Sequence, residues 1–223
     1  MKSIIPNMLT SSNLVFGFFS LLATFQGAYI PAAIFIVIAM LADAMDGRAA
    51  RYFKVSSEFG KELDSLCDLV SFGVAPAILA YSYLLKDMGY TGAAVVAAFA
   101  VCGALRLARF NVNVSVVKGY FMGLPIPAAG CVVATFVMVG IKPDAWMFCI
   151  FVAVFAYLMI STVKYPDFKG KGEKIRVIPA VVAIAVALGI LFVSFQAILF
   201  AIFFAYAVFG ILNTVFGLLE SPS

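Results

Sequence analysis

Long apolar runs separated by short polar links make up almost the whole chain. A helix needs about 20 apolar residues to cross the hydrocarbon core of a bilayer. The pattern therefore predicts eight helices, near residues 12–26, 29–52, 60–86, 89–110, 122–139, 145–162, 175–193 and 196–219. Glycines mark the predicted links, at Gly27, Gly89, Gly140, Gly170 and Gly172. Residues 1–10 are too short and too polar to span, so they predict a short interfacial segment before the first helix.

The composition fixes the class of protein. Of the 223 residues, 65% are hydrophobic and 12% are charged, whereas soluble domains are about 45–50% apolar and about 25% charged. We therefore predict an all-α integral membrane protein, with residues 1–223 forming one transmembrane domain. We expect no cleavable signal peptide, because the first apolar run leads directly into a second.

The placement of the basic residues predicts the orientation. Of the 15 Lys and Arg residues, all except Lys86 and Lys142 lie towards one side of the predicted helices. The positive-inside rule then places this side and both termini in the cytoplasm, at the cell membrane. A basic loop on the same side is expected to contact anionic lipid headgroups, through Lys164, Lys169, Lys171, Lys174 and Arg176. Nucleic acid is not an expected partner, since the basic residues lie in short interhelical loops.

Four aspartates interrupt the apolar pattern where the second and third predicted helices meet the cytoplasmic side: Asp43, Asp46, Asp64 and Asp68. An ionised carboxylate costs roughly 2.5–3.5 kcal/mol at the centre of a membrane helix, so the group needs a cationic partner. Asp43 and Asp46 share one helix face, and Asp64 and Asp68 share a face of the next helix. Counted from the connecting turn, Asp46 matches the depth of Asp64, and Asp43 matches that of Asp68. The spacing predicts a carboxylate box between two antiparallel helices.

Carboxylates alone, in a chain that has no histidine, suit Mg²⁺ or Mn²⁺ better than zinc. Two ions could fit, which is the arrangement used for phosphoryl displacement. The four cysteines lie in apolar runs without metal-ligand spacing and are expected to be small buried hydrophobes: Cys67, Cys102, Cys131 and Cys149.

Residues beside the box leave room for an anionic ligand. Gly47, Ala50 and Gly60 are small, and Arg51 at the mouth can bind a phosphate group. Two other interpretations stay open at this point. The aspartates could form structural ion pairs, such as Asp43 with Arg51, or they could form a cation-transport site.

The pattern Asp43-x₂-Asp46-Gly47-x₂-Ala50-Arg51-x₈-Gly60-x₃-Asp64-x₃-Asp68 resembles, without a gap or a substitution, the signature of the CDP-alcohol phosphotransferase family. The resemblance implies a membrane enzyme, usually a homodimer, that holds two divalent ions. Such an enzyme transfers the phosphatidyl group of a CDP-lipid to an alcohol and releases CMP. The family core would cover about residues 6–190 as six helices, leaving an additional helix near 196–219.

The same resemblance assigns roles to residues. The four aspartates would be metal ligands, and Asp68 would also be the general base, provided that it is the least engaged with metal. Contacts to the cytidine diphosphate would come from Gly47, Ala50, Arg51 and Gly60. The opening Pro6-Asn7-x-Leu9-Thr10-x-x-Asn13 is similar to the start of the family, which implies that Asn7 and its neighbours approach the nucleotide.

Later motifs resemble the phosphatidylserine synthase branch of the family: Asp68-Leu-Val-Ser71-Phe72-Gly73, Arg106-Leu-Ala-Arg109-Phe110-Asn111 and Phe121-x-Gly123-Leu-Pro125-x-Pro127. They imply L-serine as the acceptor, with CDP-diacylglycerol or an archaeal CDP-archaeol as the donor. Because serine carries a carboxylate and an ammonium group, its pocket needs a cation and acceptors, and a guanidinium suits a carboxylate. The candidate substrate-binding residues are Ser71, Arg106, Arg109, Asn111 and Lys118. Alternatively, the two arginines extend to lipid headgroups.

Other functions also agree with parts of the pattern. Within the family, a phosphatidylglycerophosphate or phosphatidylinositol-phosphate synthase would need a similar basic pocket. From a different class, a divalent-cation transporter could use the same aspartates, but its acids would lie near mid-membrane with access from both sides. The aromatic residues of the last two helices are expected to face lipid or a partner subunit: Phe192, Phe195, Phe200, Phe203, Phe204 and Phe209.

Overall fold

The computed structural model describes residues 4–53, 57–113, 120–166, 176–194 and 197–220. These ranges contain eight helices: α1 (Ile4–Phe25), α2 (Tyr29–Phe53), α3 (Glu58–Met88), α4 (Tyr90–Asn113), α5 (Ile126–Val139), α6 (Ala145–Ile160), α7 (Val177–Val193) and α8 (Ile198–Glu220). The predicted all-α polytopic fold is confirmed. The sequence did not predict the short antiparallel ribbon of β1 (Tyr120–Met122) and β2 (Lys164–Pro166).

The helices differ in length relative to a bilayer. The helical spans 6–25, 29–53, 58–88, 90–112 and 198–217 are long and apolar enough to cross it. The remaining three helices, α5, α6 and α7, are apolar but shorter, with 14, 16 and 17 residues. Large apolar side chains such as Phe25, Ile150 and Phe192 are exposed on the outside of the bundle. This is the surface expected where lipid replaces water as the solvent.

The start of α1 corrects one prediction. The expected interfacial segment is helical from Ile4, eight residues before the predicted start. Polar side chains of this stretch bond to the preceding turn of the same helix: the Ser11 and Ser12 hydroxyls donate to Asn7 O and Met8 O. Hydroxyl groups satisfied in this way are compatible with a helix interior, and Pro6 lies in the first turn, where it is tolerated.

Helix α5 lies at the centre of the bundle. It packs against α2, α3 and α8, and ten of its 14 residues are buried. A helix that is apolar on all sides suits either lipid or the protein interior, and α5 occupies the interior. The neighbouring links turn at Gly27, Gly89 and Gly140, whose φ angles of 73°, 58° and 78° are in the left-handed region that favours glycine.

Helix α3 contains two π-helical segments. It is α-helical over Glu58–Asp68, π-helical over Leu69–Val74, α-helical over Ala75–Ala80 and π-helical again over Tyr81–Leu85. The first π segment starts directly after the last aspartate of the predicted box. Such segments are uncommon and are often found at functional sites.

Helix α8 corrects a second prediction, because much of its aromatic surface faces the protein. Phe200 contacts the Phe136 and Phe151 rings, at centroid distances of 5.7 and 6.3 Å. Phe204 contacts Phe155, and Phe209 is buried. Phe192, in α7, is exposed as predicted, and Phe195 lies outside the described residues. Phe200 and Phe204 therefore pack α8 against α5 and α6.

The ribbon is fastened to α8. Phe121 pairs with Tyr165 across the two strands, and Tyr165 is fully buried, with its hydroxyl donating to Ala207 O at 3.3 Å. The Lys164 backbone N donates to Thr214 Oγ1 at 2.9 Å. Burial raises the pKa of the Tyr165 phenol, so Tyr165 stays a neutral hydrogen-bond donor. This contact joins the C-terminal helix to a strand that follows α6.

Candidate active site at the junction of α1, α2 and α3

Three of the predicted aspartates come together. The carboxylates of Asp43 on α2 and of Asp64 and Asp68 on α3 each offer an oxygen, and these oxygens all lie within 4.8 Å of one another. Asp68 is buried, and the other two are half-buried. Three carboxylates at this spacing give a set of oxygen donors that fits a hard divalent cation such as Mg²⁺ or Mn²⁺.

Asp46, the fourth aspartate, is not a member of this close group. It is buried, and its Oδ2 accepts a hydrogen bond of 2.6 Å from Thr10 Oγ1 on α1. The predicted box of four is therefore observed as a close group of three with a fourth carboxylate that is held by α1. The sequence did not predict this contact, because the depth argument considered only α2 and α3.

Asp68 is also held by α1. Asn13 Nδ2 donates to Asp68 Oδ1 at 3.0 Å, and Asn13 is fully buried. The Ser71 hydroxyl donates to the backbone oxygen of Asn13 at 3.0 Å. Gly17, one turn further along α1, lies against Ser71, and a Cβ at position 17 would collide with the Ser71 side chain. Ser71, predicted to line the substrate pocket, thus fixes the backbone of the helix that positions Asp68.

The residues predicted to contact nucleotide lie on α1, α2 and α3, the same helices that form the acidic group or hold it. A Cβ added at Gly60 would lie 3.4 Å from Asn7 Oδ1, so α1 and α3 approach closely there. Arg51 is exposed at the end of α2, on the same side as Gly47. Ala50 belongs to α2, but its side chain lies outside the described part of the structure. Gly60 thus lies close to Asn7, and Gly47 lies close to Arg51.

Arg106 is the basic residue that faces the acidic group. It is buried on α4, with its guanidinium carbon 5.2 Å from the centroid of Phe110 and 5.9 Å from that of Phe121. Its charge interacts electrostatically with Asp68 and Asp43. A buried guanidinium stacked on aromatic rings is fixed in orientation, and this one does not extend to lipid headgroups.

Arg109 has a different set of partners. Its guanidinium donates to the backbone oxygens of Met122, Met159, Ile160 and Ser161, at 2.8 to 3.1 Å. It therefore caps the end of α6 and holds the end of β1. We predicted that Arg109 binds substrate. Its contacts with backbone oxygens do not favour that role, which stays untested.

Asn111 and Lys61 join α4 to α3. Asn111 Nδ2 donates to Ser65 Oγ at 2.9 Å, and Lys61 Nζ donates to Asn111 O at 3.3 Å. Asn111 is therefore close to the helix that carries the acids, although not in the acidic group itself. Lys118, the last predicted substrate-binding residue, lies outside the described residues.

One signal for the contribution of α1 was present in the sequence. Polar or small residues recur every three or four positions along this apolar helix and are all buried: Pro6, Thr10, Asn13, Gly17, Ser20 and Thr24. A stripe of this period marks one face of a helix. Since apolar surroundings penalise unpaired polar groups, it also indicates a polar partner across that face.

The comparisons with known proteins agree with this site. A family model described as CDP-alcohol phosphatidyltransferase matches residues 3–164. A Helicobacter pylori protein named CDP-diacylglycerol–serine O-phosphatidyltransferase is 33% identical over 218 residues, which cover 95% of this chain and 91% of its own. A Bacillus subtilis protein of the same name is 37% identical over 165 residues (74% and 91%). An archaetidylserine synthase of Methanothermobacter thermautotrophicus is 39% identical over 170 residues (75% and 72%).

Proposed function

Because this chain belongs to the CDP-alcohol phosphatidyltransferase family, we propose that it transfers the phosphatidyl group of CDP-diacylglycerol, or of CDP-archaeol, to the hydroxyl of L-serine. The products are phosphatidylserine, or its archaeal equivalent, and CMP. The observation that carries the proposal is the close group of Asp43, Asp64 and Asp68 between α2 and α3. The names of the bacterial and archaeal relatives support serine as the acceptor.

The metal ligands in this proposal are the three grouped carboxylates, with Asp46 as the fourth. Two divalent ions, Mg²⁺ or Mn²⁺, would neutralise the diphosphate and stabilise the charge on the departing CMP. Thr10 would hold the Asp46 carboxylate in place through its hydrogen bond to Oδ2. Asn7, Gly47, Ala50, Arg51 and Gly60 are the residues that would hold the cytidine diphosphate.

Asp68 is the proposed general base. It takes the proton from the serine hydroxyl, whose oxygen attacks the phosphorus that bears the lipid, and the bond from that phosphorus to the oxygen shared with CMP breaks. An alcohol is a poor nucleophile at neutral pH, so a carboxylate within hydrogen-bond reach is required. Asn13 holds Asp68 in place through the 3.0 Å hydrogen bond.

Arg106 is the proposed partner of the serine carboxylate, because it is buried and interacts electrostatically with the acidic group. Ser71, Arg109 and Asn111 have internal partners and are better assigned to positioning. The lipid tails remain in the bilayer, and CMP leaves towards the cytoplasm, where we place the site and both termini. We retain the homodimer and the single transmembrane domain as proposals.

The test is an assay of CMP release. Purified protein with Mn²⁺ and CDP-diacylglycerol should release CMP when L-serine is added, and should release none with glycerol 3-phosphate or inositol phosphate. Chelation with EDTA should stop turnover, and added Mn²⁺ or Mg²⁺ should restore it. Failure to release CMP with any acceptor would disprove the activity, whereas CMP release with glycerol 3-phosphate alone would assign the chain to a phosphatidylglycerophosphate synthase.

A transporter is less consistent with the structure. Two of the acids, Asp46 and Asp68, are held by α1 through hydrogen bonds. A permeation site would need ligands that the ion can leave towards both sides of the membrane.

A further inference from the structure

Two buried polar atoms near the acidic group lack a hydrogen-bond partner among the described residues. They are the side-chain oxygen Oδ1 of Asn13 and the Nε group of Arg106, whose residues are 0% and 6% exposed. Leaving a polar group buried and unpaired costs about 1–3 kcal/mol, so each such group needs an explanation. One of these atoms is an acceptor and the other is a donor.

Both residues interact with Asp68. Asn13 Nδ2 is 3.0 Å from Asp68 Oδ1. Because the C–N and C=O bonds of the amide are only about 1.3 and 1.2 Å long, Asn13 Oδ1 lies within about 5.6 Å of the same carboxylate oxygen. Arg106 approaches from α4, and its charge interacts with Asp68. The proposed base Asp68 therefore interacts with one residue that has an unmatched acceptor and with another that has an unmatched donor.

The Asn13 oxygen is held in this position. The amide nitrogen is committed to Asp68, so a rotation of the amide would break that bond. The backbone of Asn13 accepts the Ser71 hydroxyl at 3.0 Å, and Gly17 allows Ser71 to approach α1 this closely. An acceptor fixed in this way is pre-organised for a donor that comes with the substrate.

We propose that Asn13 Oδ1 is the acceptor for the ammonium group of the incoming amino alcohol, while Arg106 Nε donates to its carboxylate and Asp68 receives its hydroxyl proton. This assignment rests on the proposed function and adds the atoms that select the acceptor. In serine the ammonium-bearing carbon lies between the carboxylate and the hydroxyl-bearing carbon, so one small molecule can fill all three positions. An alcohol phosphate has no ammonium group and would leave the Asn13 oxygen unpaired, which is a strong basis for rejection.

The first test uses the unmodified protein and two analogues of serine that each lack one group. One analogue is 3-hydroxypropionate, which lacks the ammonium group, and the other is ethanolamine, which lacks the carboxylate. We expect the inhibition constant of each against L-serine to be at least about tenfold higher than the KM of serine. If 3-hydroxypropionate competes as well as serine itself, the ammonium group is not recognised and the proposal is wrong. This result does not depend on any variant being folded.

The second test is Asn13→Ala, with Asn213→Ala as the matched control. Asn213 is a buried asparagine of α8 that bonds to Arg176, outside the acidic group. We expect Asn13→Ala to raise the KM of serine about tenfold and to change the inhibition constant of 3-hydroxypropionate less than twofold. Asn213→Ala should change neither value.

Equal losses for serine and 3-hydroxypropionate in Asn13→Ala would show that Asn13 serves only to position Asp68, and would overturn the proposal. The outcome is separate from a failure of the proposed function, which would be seen as an absence of CMP release with serine in the unmodified protein.

Discussion

Helices α1 and α8 both bury polar side chains in an apolar bundle, but they direct them to different partners. On α1, Thr10 and Asn13 donate to the carboxylates of Asp46 and Asp68. On α8, Asn213 and Thr214 bond to backbone groups of Arg176 and Lys164. Bonds to carboxylates fix groups that can react, whereas bonds to the backbone fix the path of the chain.

The comparison shows that burial of a polar residue does not by itself indicate a site. Thr214 exchanges hydrogen bonds with both backbone groups of Lys164, as a β-strand partner would. Asn13 instead leaves one side-chain atom unmatched. In a membrane protein, the incompletely satisfied polar residue is the better indicator of ligand binding, because a purely structural residue is selected for full pairing.

The largest effect is expected at the carboxylate that α1 holds. Asp68→Asn keeps the shape of the side chain but removes the base, so kcat should fall by about 10²–10⁴-fold. Nucleotide binding, measured by isothermal titration with CMP, should be retained in large part. Turnover at the normal rate would show that another group accepts the proton.

An intermediate effect is expected for a substitution on α8. It should lower the stability of the protein and leave the rate of the reaction nearly unchanged. In Gly210→Ala the new methyl group would collide with the Tyr165 ring, and such overpacking costs about 1–3 kcal/mol. The melting temperature in detergent should fall by several degrees, while kcat per folded molecule should stay within about twofold, since Asp68 and its partners are not altered.

The matched control is Gly189→Ala. Gly189 lies in α7, and a Cβ added there meets nothing within 4 Å. Alanine should be neutral or should stabilise the helix by up to about 1 kcal/mol. If both glycine variants behave alike, the contact between the ribbon and α8 does not contribute to stability.

The smallest effect is expected for Thr10→Val. This change keeps the shape but removes the hydroxyl that donates to Asp46, and a hydrogen bond of this kind contributes about 1–1.5 kcal/mol. We expect an activity loss of about tenfold that added Mn²⁺ partly reverses, with a fall in melting temperature of no more than a few degrees.

Thr135→Val is the control for this change, because the Thr135 hydroxyl bonds only to its own helix α5 among the described residues. An equal loss of activity in the two valine variants would contradict the assignment of α1 to the site.

The sequence predicted the helices from α2 onward and the clustering of three aspartates, because both follow from local spacing along one or two helices. It did not predict the contacts of α1 with Asp46 and Asp68, which depend on how a third helix packs. It also did not distinguish Arg106 from Arg109. These residues are three positions apart and chemically identical, and only the position of α6 and the ribbon separates a stacked, buried guanidinium from one that caps a helix.

The ribbon and its contact with α8 could not be predicted from local sequence patterns for the same reason. Three-residue strands have too little periodicity to be recognised, and Tyr165 and Gly210 are 45 residues apart in the sequence. Their contact is decided by tertiary packing. The prediction that the aromatic residues of α8 face lipid or a partner subunit was wrong for Phe200, Phe204 and Phe209. Apolar faces that meet lipid and apolar faces that meet protein have the same composition, so the sequence does not separate them.

The π-helical stretch Leu69–Val74 separates two parts of α3 that have different tasks. The part before it carries Asp64 and Asp68, and the part after it is anchored among buried residues from Ala75 to Ala80. A π turn holds one residue more than an α turn, so loss or gain of a single residue here would rotate the acidic end by about 100° relative to the anchored end without breaking the helix. The stretch is thus a point at which a one-codon deletion could redirect the carboxylates while the membrane-embedded core keeps its packing.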